Sequence, residues 1–116
     1  MTKTYTDLIA EVRSSVKVVT LDQLKQQLDD GAPMALVDVR EKEEFRQGYI
    51  PGAISVPRGF LEMQIEKAVP DKSARVVLYC AAGIRSALAV KTLEGLGYTQ
   101  VETANLGFVR WKDLGF

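Results

Sequence analysis

The order of residues from Val76 to Ser86 (Val-Val-Leu-Tyr-Cys-Ala-Ala-Gly-Ile-Arg-Ser) constrains this chain more than any other stretch. An apolar and aromatic run stops abruptly at Cys80, the only cysteine. Ala81, Ala82 and Gly83 follow, and Ile84, Arg85 and Ser86 lead into an Ala/Leu/Val-rich pattern of helical period. That order predicts a strand, a tight loop and a helix. In open α/β sheets, ligands bind just beyond the carboxyl ends of strands, so the thiol is expected where such folds do chemistry.

The remaining pattern agrees with a small open α/β domain. Leu8, Ile9 and Val12 recur at helical spacing between Tyr5 and Ser15, and Val16, Val18 and Val19 read as a short strand. Thr20 can cap a helix carrying Leu21, Leu24 and Leu28, which Gly31 stops. Ala35-Leu36-Val37-Asp38-Val39 is apolar apart from one acid, as in a strand buried on both faces. A charged helix over Glu41–Arg46, a strand over Ala53–Val56 and a helical stripe over Arg58–Ala68 follow. After the Arg75–Tyr79 strand and its helix come a strand at Thr99–Thr103 and a last helix with Phe108, Val109 and Trp111. The expected fold is a small, open, largely parallel sheet with helices on both faces. Residues 1–15 are expected as a helical appendage and residues 16–116 as the domain.

The loop after Cys80 suggests how a thiol there is activated. A tight turn into a helix aims successive N–H groups inward, the helix start adds partial positive charge, and Arg85 adds a full one. An ordinary cysteine is roughly 3 per cent thiolate at pH 7, and a pKa depressed by about two units makes it roughly three-quarters thiolate. The sequence contains no histidine, which excludes Cys-His and Ser-His-Asp catalysis and imidazole metal sites. The competing reading of Cys80 is a small buried hydrophobe at a strand end.

At Cys80, Gly83 and Arg85 the chain resembles the rhodanese-like domain family. The segments Asp38-Val39-Arg40 through Glu43-Glu44-Phe45 and Gly48-Tyr49-Ile50-Pro51-Gly52-Ala53-Ile54-Ser55-Val56-Pro57 are similar to that family's second hallmark. The resemblance runs from about Val19 to the C-terminus. Tyr49 stands where histidine is commonest in the family, and Leu106 replaces the first of a frequent glycine pair. The resemblance implies a sulfurtransferase in which Cys80 takes the outer sulfur of a small anionic donor such as thiosulfate. Cys80 then carries it as a persulfide to an acceptor, either cyanide or a thiol, protein thiols included. Ala81, Ala82, Gly83, Ile84, Arg85 and Ser86 would bind the substrate. Related phosphatases and arsenate reductases carry a loop one residue longer between cysteine and arginine, so phosphate chemistry ranks below sulfur transfer. A non-enzymatic persulfide carrier, sensor or partner-binding module is the alternative from another class.

Asp38 needs partners inside an apolar strand, either to hold a nearby loop or helix end or to support the Cys80 loop with Arg40. Arg40 is not expected as its direct neighbour, since alternate positions share a face only while a strand stays extended. Arg58, after Pro57, is either a surface arginine or a group that steers an anionic substrate. Glu41, Lys42, Glu43, Glu44 and Arg46 read as a solvated helix face. Lys plus Arg (15) balances Asp plus Glu (15), so no global field favours nucleic acid or an acidic membrane. No apolar run reaches membrane-spanning length, and the first residues do not read as a signal peptide. A lone cysteine suits a reducing compartment, so the expected location is cytoplasmic, with no cofactor or metal.

Overall fold

The computed structural model describes residues 3–116, so residues 1 and 2 of the expected appendage lie outside the described part. In order the chain forms α1 (Tyr5–Ser15), β1 (Lys17–Val19), α2 (Leu21–Asp29), β2 (Ala35–Asp38), α3 (Lys42–Arg46) and β3 (Ile54–Ser55). A 3-10 turn at Arg58–Phe60 runs into α4 (Leu61–Ala68), followed by β4 (Arg75–Tyr79), α5 (Ile84–Gly95), β5 (Gln100–Ala104) and α6 (Phe108–Asp113). Thr4 and Thr20 cap α1 and α2 through reciprocal bonds with Asp7 and Gln23, which satisfy amides the first helical turn leaves open. The stripe expected as one helix from Arg58 begins instead as a 3-10 turn, because the Phe60 N–H closes back on the Pro57 carbonyl at 2.9 Å.

All five strands are parallel, in the order β1-β5-β4-β2-β3, which places β4 at the centre. Period-two alternation splits its side chains between two cores. Val76 and Leu78 face the side covered by α4 and α5, with Leu61, Ile65, Ala89, Val90 and Leu93, and Cys80 joins this cluster. Val77 and Tyr79 face the side covered by α2 and α6, with Leu21, Leu24 and Trp111. Each fully buried aliphatic here contributes roughly 1.5–3 kcal/mol, and together they fix the central strand on which the loop is mounted. The fold is thus the expected parallel α/β sheet with helices on both faces, and α1 packs outside α5. Among the described residues, no helix is long and apolar enough to cross a membrane.

Candidate active site

The Cys80 loop stands at the carboxyl end of β4, between the ends of β2 and β5. Gly83 turns the chain into α5 with φ 96°, a conformation that disfavours any side chain. A Cβ there would also stand 3.0 Å from the Asn105 carbonyl oxygen. The turn lets the Gly83 N–H donate to Cys80 Sγ at 3.0 Å, while the Ser86 hydroxyl lies 3.5 Å from the sulfur. Behind Ser86, Thr103 of β5 places Oγ1 2.8 Å from Ser86 Oγ, with the Ala104 carbonyl as its other acceptor at 3.1 Å. When Thr103 donates to Ser86, the Ser86 proton is left to point at the sulfur. Burial pushes the Cys80 thiol up, but bonds from the Ser86 hydroxyl and the Ser86, Ala82 and Gly83 N–H groups outweigh it and hold the pKa below its ordinary value.

In that arrangement Thr103 acts on the sulfur through Ser86. Thr103→Val should move the midpoint of Cys80 alkylation against pH upward and slow alkylation at neutral pH by roughly two- to tenfold, the worth of one such hydrogen bond. An unchanged midpoint would remove Thr103 from the account.

With amides turned inward, the loop's carbonyls face outward and need donors of their own. Cys80 O receives the Phe108 N–H at 2.8 Å and Ala81 O the Val109 N–H at 3.3 Å, so the first turn of α6 is seated on the loop. Gly107 makes this possible, since a Cβ there would fall 2.2 Å from Cys80 O and 2.3 Å from the Ala81 carbonyl.

Asp38 and Arg40 form a pair at the end of β2, contrary to the expectation that they would not meet. β2 stops at Asp38, and the chain curls so that the Arg40 N–H reaches Asp38 Oδ1 at 2.9 Å. The guanidinium folds back too, with Nε 3.0 Å from Oδ1 and Nη2 2.7 Å from Oδ2. Both residues are buried. Arg40 Nη2 also donates to Gly48 O at 2.7 Å, and the guanidinium lies 4.3 Å from the Phe108 ring centroid. The pair thus ties the end of β2 to the turn after α3 and to the helix seated on the loop. Tyr79 adds a second tie by accepting the Ile50 N–H at 3.1 Å.

Arg85 lies at the rim of the loop but is not free. Its Nη1 and Nη2 meet Glu44 Oε1 and Oε2 at 2.9 and 3.2 Å, so Glu44 is an ion-pair partner rather than part of a solvated helix face. The Arg85 hydrogen bond, helped by the Glu41 N–H, outweighs burial and holds the Glu44 carboxyl below its ordinary value. Beside the pair, a cleft of about 340 Å³ is lined by Arg40, Glu44, Ala81, Phe108, Val109 and Lys112, among others. Arg58 is not brought to the loop, for its guanidinium bonds Glu62 and Thr92 Oγ1. Thr92 lies two turns, or about 12 Å, along α5 from Ile84. The structure therefore gathers Cys80, Ala82, Gly83, Arg85 and Ser86, supports them through Asp38 and Arg40, and adds Glu44, Thr103 and Gly107. Thr103 had a signal in the sequence, since a polar residue in a buried strand needs a partner.

The family description Rhodanese-like domain matches residues 20–114. Thiosulfate sulfurtransferase PspE of Escherichia coli is 43% identical over 59% of this chain, and the match spans 65% of its own length, just under two thirds. A sulfurtransferase of Allochromatium vinosum is 32% identical over 83% of this chain and 88% of its own. A solved structure from Rhodopseudomonas palustris, a protein of unknown function described as a possible tyrosine phosphatase, superposes with a TM-score of 0.89 at 31% identity. That superposition covers 99% of this chain and 93% of the other.

Proposed function

Because this chain belongs to the rhodanese-like domain family, we propose that it is a sulfurtransferase in which Cys80 carries sulfane sulfur as a persulfide. The Cys80 thiolate attacks the outer sulfur of thiosulfate. The bond between the two donor sulfurs breaks, and its electron pair leaves with sulfite. An acceptor thiolate or cyanide then attacks the outer sulfur of the persulfide and returns Cys80 as thiolate. Sulfite is weakly basic and needs no general acid, consistent with a chain without histidine. The N–H groups of Ala82, Gly83 and Ser86 stabilise both thiolate and persulfide anion. Residues 16–116 form the transferring unit with α1 appended, and a reducing compartment such as the cytoplasm keeps the thiol free.

The observation that carries this reading is a buried cysteine, Cys80 at 1% exposed, whose sulfur is held by N–H donors in a loop with four residues between Cys80 and Arg85. A cradle of that size suits a single sulfur atom better than a tetrahedral phosphoryl group. Purified protein should consume thiosulfate with cyanide or a small thiol as acceptor and leave aryl phosphates intact. Hydrolysis of an aryl phosphate at a rate comparable to thiosulfate turnover would overturn the loop-size argument. Sulfur uptake without release to small acceptors would instead favour a carrier that hands its sulfur to a protein thiol.

A further inference from the structure

Resting on the sulfurtransferase reading, we propose that Glu44 sets donor specificity: by neutralising Arg85 it tunes the loop toward singly charged sulfur donors and against doubly charged thiosulfate. Arg85 carries the only formal positive charge within the loop itself. Its guanidinium is held by both Glu44 oxygens at 2.9 and 3.2 Å, each side chain about one-third exposed at 35%. Arg40, the nearest buried cation, is committed to Asp38 and Gly48 O. Within the loop, what remains to attract a donor is the partial charge of N–H groups; Lys112 adds one exposed positive charge on the wall of the adjoining cleft, where Glu44 sets a full negative one. Its repulsion costs a dianion twice what it costs a monoanion. Glu44 also accepts the Glu41 N–H through Oε1 at 3.0 Å, a bond that an amide oxygen can keep. Glu44→Gln therefore removes the charge and retains the helix cap.

The test compares thiosulfate with a singly charged alkyl persulfide, that of 2-mercaptoethanol. In the second reaction the outer sulfur passes to Cys80 and the bond's electron pair leaves with the alkyl thiolate. At low ionic strength, Glu44→Gln should raise kcat/KM about tenfold for thiosulfate and about threefold for the persulfide, with the change in KM rather than kcat. Both gains should shrink as salt is added. Glu44→Asp, which keeps the charge, should keep the ratio of kcat/KM between the two donors close to that of the parent. Glu43→Gln, which removes a charge from an exposed residue paired with Arg46, should leave the donor ratio unchanged. Equal gains for both donors, no gain for either, or the same gain from Glu43→Gln would overturn the inference and leave the sulfurtransferase reading intact. Failure of the parent protein to take up sulfur from either donor would overturn both.

Discussion

Replacing Gly107 by alanine should cut sulfur transfer by roughly a hundredfold or more while secondary structure is retained. Its φ of −110° is open to any residue, so the cause is space rather than backbone conformation. The added Cβ would lie 2.2 Å from Cys80 O and 2.3 Å from Ala81 C and O, and every one of these atoms is backbone. No rotamer change relieves such contacts. Either α6 lifts away, losing the Phe108 and Val109 N–H bonds to the loop, or the loop moves and its N–H groups leave the sulfur. Overpacking of this kind costs roughly 1–3 kcal/mol of stability, which chemical denaturation would read. The same variant should raise the pH midpoint of Cys80 alkylation, because either displacement loosens the loop that aims the Gly83 N–H at Sγ. Normal turnover with an unchanged midpoint would show that α6 does not hold the loop.

The fold was legible because its signals are local. The unbroken apolar run at 76–79, the capping Thr20 and the helical stripes each read out within one element, and the parallel arrangement follows from their alternation. The geometry of the loop from Cys80 to Ser86 was legible for the same reason, since thiol, N–H donors and arginine sit in one continuous stretch. What escaped comes from elsewhere in the chain. Glu44 is 41 residues from Arg85 and Thr103 is 17 from Ser86, and in each case the partner is set by the packing of separate elements. Gly107 stood in the sequence only as the remaining member of a glycine pair frequent in the family, and it is the approach of the Cys80 carbonyl that makes its missing side chain necessary. Asp38 and Arg40 misled in another way. The rule for alternate strand positions was applied past the end of β2, where the Asp38 carboxylate captures the Arg40 N–H and ends the extended geometry.

Cys80→Ser should lower sulfur transfer by at least about four orders of magnitude, because the step that stores sulfur on the protein is lost outright. Serine fits the same space and can take the Gly83 N–H and the Ser86 hydroxyl as partners, so the fold should survive. The measurement that tests the central claim most directly is the mass of the intact, fully reduced protein after incubation with thiosulfate or an alkyl persulfide. The mass should rise by one sulfur atom, with the added atom mapping to Cys80. It should be lost on treatment with cyanide or excess thiol and be absent from Cys80→Ser. An unchanged mass with every donor, or a sulfur that Cys80→Ser still acquires, would contradict persulfide chemistry at Cys80.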